Sequence, residues 1–287
     1  MIGLLDVGGT KLLAAAAGPD GRLGPTLRRP TPRGGDVVST LLEMLAEVGQ
    51  GRRLEAIALS VPGPFDRRTG ELVNPPGMSV EWHRLDLASP LGDHFGCPVV
   101  VENDANCAAL AEATLGAGRG AGLLVYYTVS TGIGSGIVRG GQLMITRGDT
   151  EGGHQVLWPQ VAGGPACECG GQGCLEALAS GRAIARRFGR PAAEIEDQAV
   201  WDEVGTWLGL AAVNAVALLD CDRIVFGGGV ADARWARLEP AIAATVTRHL
   251  KLQPAPEIRL AELGEERNLA GAWLVLRAAG QGRAASS

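Results

Sequence analysis

Lysine is almost missing from this chain of 287 residues: Lys11 and Lys251 are the only two, and every other basic side chain apart from histidine is arginine. Basic residues number 26 against 31 acidic ones, a formal net charge of −5. With no cationic surplus to neutralise phosphates, the composition argues against a nucleic-acid backbone as partner. No basic run or basic amphipathic stretch suggests a membrane surface either. Long apolar runs are missing too, none approaching the roughly 20 residues that cross a bilayer. Asp6 interrupts the opening apolar residues, so no secretory signal is expected and a cytoplasmic location is predicted. The arginine preference fits a GC-rich coding bias. Against it, a lysine kept at the first Gly-rich turn stands out.

Cysteine is sparse but uneven. Three of six cysteines fall in one stretch, GGPACECGGQGCLEALAS, residues 163–180. In a reducing compartment clustered thiols more often bind metal than pair with each other. His154 precedes Cys167-x-Cys169-x4-Cys174, and the intervening glycines permit a tight loop. One imidazole and three thiolates form a closed tetrahedral set suited to Zn²⁺, with no open position for water, so the predicted role is structural. The competing reading is reduced thiols beside a surface histidine. Cys97, Cys107 and Cys221 lie in apolar segments and read as small core residues. His83, His94 and His249 read as surface residues. Glu151 and Glu176 flank the metal set. Separately each would be solvated; brought together by a folded metal loop, paired carboxylates suit a polyhydroxylated ligand.

The 43 glycines imply many tight turns or close backbone approaches. IGLLDV (2–7) and KLLAAAA (11–17) flank a Gly-Gly turn and read as a β-hairpin, with GPDG (18–21) turning into a third strand. Apolar spacing predicts a helix over 36–49. IALSV (57–61) is a strand stopped by Pro62-Gly63-Pro64, CPVVVEND (97–104) another, and 105–116 a helix closed by Gly116. Residues 122–141 then restart the pattern with a second Gly-rich hairpin. A long helix (203–219), a strand (222–230), a helix, a strand near 257–261 and a final helix (267–279) follow, with a frayed tail over 280–287. An α/β protein of two related halves is predicted, divided near residue 113, with a ligand between them.

Four motifs carry possible chemistry. DVGGTK (6–11) places Gly8 and Gly9 where backbone amides can meet an anion, with Thr10 and Lys11 beside them; a plain hairpin turn is the alternative. It is no Walker loop, because a strand follows. STGIGSG (130–136) is a second such turn, and strand-like residues after it exclude a Rossmann fingerprint. FGGG (226–229) adds a third glycine cluster at a strand end, and three together favour a nucleotide cleft. VENDAN (101–106) sets Asn103 and Asp104 at a strand end and helix start. They can cap the helix, or Asp104 can accept a proton from a hydroxyl.

Taken in order, DVGGTK, VPGPFD (61–66), VENDAN, STGIGSG, E-G-G-H (151–154), CECGGQGCLE (167–176), SGRAIA (180–185) and FGGGV (226–230) resemble the ROK family of bacterial sugar kinases, named for repressor, open reading frame and kinase. The resemblance spans about residues 3–275. It implies an actin/hexokinase-like (ribonuclease H-like) two-domain α/β fold with a central ligand cleft: 1–113 plus 270–287 as the smaller domain, 114–269 as the larger one carrying the zinc loop. It implies ATP-dependent phosphorylation of a hexose, usually at the C6 hydroxyl, with Mg²⁺ and a structural Zn²⁺ held by His154, Cys167, Cys169 and Cys174. Asp104 would be the general base. Gly63, Asn103, Asp104, Glu151, His154 and Glu176 would meet the sugar. Asp6, Gly8, Gly9, Thr10, Lys11, Thr131 and Gly132 would face phosphates and metal, and Gly228 and Gly229 the nucleoside. The partners implied are sugar and ATP, with no nucleic acid and no membrane, in a homodimer or homotetramer.

Departures from the family pattern cluster on the sugar side. NPPGMSVEW (74–82) displaces Asn74, GDT (148–150) replaces small residues before the glutamate of E-G-G-H, and Ser135 stands where glycine is frequent. Glucose is the first expectation for the substrate. The alternatives are kinases of fructose, mannose, N-acetylglucosamine or N-acetylmannosamine, polyphosphate as donor, and a non-catalytic sugar sensor or repressor relative.

Overall fold

The computed structural model describes residues 1–75, 77–145, 148–158 and 160–284. The chain divides into two compact units: Met1–Ala111, Arg147–Asp149 and Glu265–Ser287 form the first, Glu112–Thr146 and Thr150–Gly264 the second.

In the first unit the opening hairpin is β1 (Ile2–Val7) and β2 (Lys11–Ala17), antiparallel from Ile2↔Ala17 to Val7↔Leu12. The third strand arrives later than the GPDG turn suggests. After a single bridge between Ala17 and Leu23 the chain enters β3 (Leu27–Pro30) against β2. Helix α1 (Val37–Gly49) begins at Asp36, whose carboxylate caps the Ser39 amide at 3.1 Å. Its Leu41, Met44 and Leu45 pack on Leu5, Val7, Ile57 and Leu59.

Strand β4 (Ala56–Val61) pairs in parallel with β1. A small antiparallel sheet of β5 (Phe65–Asp66), β6 (Glu71–Leu72) and β7 (Leu85–Asp86) leads to α2 (Ala88–Phe95). β8 (Val99–Asn103) completes the main sheet, parallel to β4, and runs directly into α3 (Asp104–Leu115). The order is β3-β2-β1-β4-β8. The C-terminal helix, Arg267–Ala284, covers the other face, where Leu269 and Ala272 meet Leu4, Leu13, Ala15 and Cys107. It runs five residues past 279, so 280–284, expected to fray, are helical, and 285–287 lie outside the described residues.

The second unit repeats this plan. β9 (Leu123–Val129) and β10 (Ile133–Arg139) form the second Gly-rich hairpin, and β11 (Gln142–Leu143) joins its edge. Two short helices follow, α4 (Leu175–Ala179) and α5 (Gly181–Phe188). α6 (Gln198–Leu219) starts earlier than 203, because Asp197 caps the Ala199 amide at 3.0 Å. α6 is long and apolar enough to cross a membrane by length and composition. Its Trp201, Val204, Leu208, Ala211 and Ala212 are instead core residues of this unit. β12 (Arg223–Gly227) lies parallel to β9, α7 (Gly229–His249) follows it, and β13 (Glu257–Leu260) pairs in parallel with β12.

The order β11-β10-β9-β12-β13 matches the first sheet in sequence of strands and in sense of pairing, hairpin first and parallel strands after. That internal duplication is the actin/hexokinase-like architecture. The cysteine expectations hold for Cys107 and Cys221, which are buried. Cys97 is half-buried and packs against the core of the first unit.

Candidate active site

At the tip of the first hairpin, the Gly8 amide donates to the Lys11 carbonyl at 3.0 Å, which closes the turn. Asp6, the last polar residue of β1 before it, is only 8% exposed. Its Oδ1 accepts from Ser60 Oγ at 2.9 Å and from Asn268 Nδ2 at 3.0 Å. Both of these bonds fall on the same oxygen. Burial pushes the Asp6 carboxyl above its ordinary value, partly offset by Asn268, Ser60 and the charge of Lys11. Lys11 itself pairs with Glu265 at 3.1 Å, on a half-exposed surface. Thr10 is exposed and Gly9 half-buried, so the turn presents backbone.

At the end of β8 the structure assigns the helix cap of VENDAN to one residue. Asn103 Oδ1 accepts from the Ala105 and Asn106 amides at 2.9 and 3.2 Å, so Asn103 is the cap. Its Nδ2 remains on the side of the Pro-Gly-Pro turn, where a side chain on Gly63 would meet it at 3.0 Å. Asp104 opens α3, half-buried, with Oδ1 at 2.7 Å from the Ala105 amide. A carboxylate in the first turn of a helix suits the positive end of the dipole.

Directly behind lies a network that sequence reasoning did not anticipate. Arg67 is bidentate on Glu102, Nη1 to Oε2 at 2.9 Å and Nη2 to Oε1 at 2.5 Å, and also pairs with Asp149. Asn106 Nδ2 donates to Glu102 at 2.9 Å and to Asp149 at 2.8 Å. Hydrogen bonds to both carboxylates hold the Arg67 guanidinium firmly cationic against the cost of burial. The only sequence signals were two adjacent arginines after VPGPFD and an aspartate where small residues were expected.

In the second unit, the turn of the second hairpin is built against Glu176. Its Oε2 accepts from the Ile133 amide at 2.9 Å, and a side chain on Gly132 would come within 2.6 Å of the same oxygen. Only glycine fits there without displacing the carboxylate. Glu176 Oε1 faces Arg182 at 3.8 Å, and Arg182 also pairs with Glu168 at 2.9 Å. Thr131 is exposed at the turn. Gly228 has φ +91°, a conformation open to glycine, and lies against Thr128 and Val129 where β12 passes into α7. Gly229 is exposed as the first residue of that helix, so bare backbone faces outward.

His154, Cys167, Cys169 and Cys174 converge, one ligand atom of each lying within 4.8 Å of the others. Cys169 and Cys174 Sγ are 3.8 Å apart, and His154 Nδ1 is 3.7 Å from Cys167 Sγ. Tetrahedral Zn²⁺ with bonds of about 2.3 Å to sulfur spaces its sulfurs about 3.8 Å apart. The donor set therefore fits zinc in kind and in spacing. Burial pushes the Cys174 thiol up to about 12 and raises Cys167, while the Gly171 amide draws Cys169 down. Three thiolates so close need a divalent cation to offset them. Glu151 is exposed, with Oε2 3.9 Å from His154 Nε2. His83, His94 and His249 are exposed, as expected.

The chain is 38% identical to a glucokinase of Thermotoga maritima over 64% of this chain and 58% of that protein. It is 32% identical to an N-acetylmannosamine kinase of Escherichia coli over 88% of both. A ROK hexokinase structure from Thermus thermophilus superposes with TM-score 0.80 and 36% identity, covering 96% of this chain and 99% of that one. A ROK glucokinase of Streptomyces griseus, solved with glucose and AMPPNP, superposes with TM-score 0.78 and 28% identity over 94% and 97%. With residues 2–279 also matching the model of the ROK family, and with duplicated sheets, two Gly-rich hairpins and a three-cysteine, one-histidine cluster, this chain belongs to the ROK family.

Proposed function

We propose that the protein transfers the γ-phosphoryl group of ATP to the C6 hydroxyl of a hexose, glucose in the first place, with Asp104 as general base. The observation that carries this reading is the end of β8. Asn103 spends its carbonyl oxygen on the helix and keeps its amide toward the Gly63 turn, while Asp104 sits half-buried at the helix start. A carboxylate so placed can take the hydroxyl proton as oxygen attacks phosphorus. Asn103, Gly63, Glu151, His154 and Glu176 orient the sugar, and such orientation supplies much of the rate in phosphoryl transfer.

The two hairpins receive the phosphates. Gly8, whose amide closes the first turn, shapes it, and the backbone amides at Gly9 and Gly132, the hydroxyls of Thr10 and Thr131, and Lys11 stabilise the charge on the transferred group. Gly228 and Gly229 offer bare backbone to the nucleoside. Asp6, a buried carboxylate at the tip of the first hairpin, is the residue that would hold Mg²⁺, which neutralises phosphate charge when bound. His154, Cys167, Cys169 and Cys174 would hold a structural Zn²⁺, and its role is to fix His154. We propose a homodimer or homotetramer as the working assembly.

A second reading keeps the reaction and changes the acceptor. The similarity to an N-acetylmannosamine kinase at 88% coverage supports testing amino sugars beside glucose. Coupled ADP release should be measured for glucose, mannose, fructose, N-acetylglucosamine and N-acetylmannosamine, with ATP and with polyphosphate, and zinc determined on the same preparation. Glucose should have the highest kcat/KM. Absence of turnover with every sugar and both donors would overturn the reading.

A further inference from the structure

Three positions where the chain departs from the family pattern, Ser135, Asp149 and Thr150, are bonded into the fold. Asp149 Oδ1 accepts from Asn106 Nδ2 at 2.8 Å and pairs with the Arg67 guanidinium. Arg67 is at the same time bidentate on Glu102. The side chains of Glu102 and Asp149 are 6% and 9% exposed, so two carboxylates share one cation in a place where neither is well hydrated. A lysine could not span them, because only the planar fork of arginine offers donors to both at once.

Between Asp149 and Glu151, Thr150 Oγ1 donates to the Ser135 carbonyl at 2.9 Å and Ser135 Oγ donates to the Thr150 carbonyl at 3.0 Å. The Gly152 amide then donates to Ser135 Oγ at 2.8 Å. Glu151 is thus flanked by residues that are tied down, Asp149 and Thr150 before it and Gly152 after it. A run of small residues at 148–150 would supply neither the Asp149 nor the Thr150 side-chain tie.

We infer that Asp149, clamped by Arg67 and Asn106, is a specificity-determining positioning residue. It fixes the backbone that presents Glu151, and so narrows the hydroxyl arrangements the sugar site accepts. Hexose epimers differ in the direction of a single hydroxyl. A carboxylate held in one place leaves the wrong epimer with an unmade hydrogen bond, whereas a mobile one adapts to both. The inference rests on the proposed role of Glu151 as a sugar ligand.

The test compares kcat and KM of the wild type, Asp149→Ala and Asp149→Asn with glucose, mannose, fructose and N-acetylglucosamine. Asp149→Ala leaves Arg67 bidentate on Glu102, so the buried charges stay paired. It should raise KM for the preferred hexose about tenfold, the size of effect that contacting residues exert on one another. kcat should stay within about twofold, since no group that touches the reacting atoms is altered. The ratio of kcat/KM between the best and second-best hexose should fall. Asp149→Asn, which keeps an acceptor for Arg67, should lie between, and it carries the comparison should the alanine variant fail to fold. An unchanged KM and hexose ranking in a folded variant, or a loss confined to kcat, overturns the inference and leaves the kinase reading standing. A wild type that phosphorylates no sugar overturns both.

Discussion

His154 Nδ1 lies 3.7 Å from Cys167 Sγ, so one edge of the imidazole belongs to the thiol cluster while Nε2, on the other edge, faces Glu151. A metal bound by the first nitrogen would hold the second in a fixed direction, as metal-bound histidines generally are held by their second contact. Removing zinc by chelation, or replacing a ligand by Cys169→Ser, should therefore loosen the fold and the sugar site together. Tm should fall by about 10 °C, what roughly 3 kcal/mol produces in a unit of this size, and KM for sugar should rise. Fully active, equally stable protein without stoichiometric zinc would refute this.

Asp104→Ala should lower kcat by about 10³-fold while sugar still binds measurably by calorimetry, since a general base acts in the transition state more than in the ground state. Near-normal turnover would remove Asp104 from the mechanism.

Asp6 sets stability against function. Burial holds its folded pKa above the usual 3.8, so the native state keeps the proton more readily than the unfolded chain. Its favourable contribution is thus complete below the unfolded pKa and is lost as pH rises through the folded one. Asp6→Asn retains an oxygen for Ser60 and Asn268 and removes the buried charge. The variant should melt about 2–4 °C higher than wild type at pH 7, with the gap closing toward pH 4, and should lose phosphoryl transfer. A lower Tm at pH 7 would show that the charged form is better accommodated than its burial implies.

Gly271 tests the seat of the C-terminal helix. A side chain there would fall 2.0 Å from the Cys107 carbonyl, a backbone atom of α3 that has no rotamer to yield. Gly271→Ala should cost about 2–3 kcal/mol by urea unfolding, the usual penalty of overpacking. A cost below about 0.5 kcal/mol, the range of a neutral surface change, would mean that the helix shifts freely.

Much of the fold was legible because its cues are local. Alternation around Gly8-Gly9 and around Gly132 announced two hairpins, and Pro62-Gly63-Pro64 stopped β4 where the structure stops it. The metal set was legible for the same reason: three of its four ligands lie within eight residues, and thiol chemistry narrows the partner. Cap identity was less legible. Asn103 and Asp104 are equally good caps by composition, and only the backbone turn at the end of β8 assigned the task to Asn103.

The chain alone determined where strands and helices form, which turns expose backbone, and which four residues could share a metal, since periodicity, turn chemistry and ligand type act over a few residues. Tertiary structure alone decided the partners of the buried charges. Arg67 meets Glu102 across 35 positions and Asp149 across 82, and Asn268 reaches Asp6 across 262. Those meetings follow from sheet register and from the docking of the C-terminal helix, which no local pattern encodes. A buried carboxylate needs some donor, but the packing of distant elements selects which one.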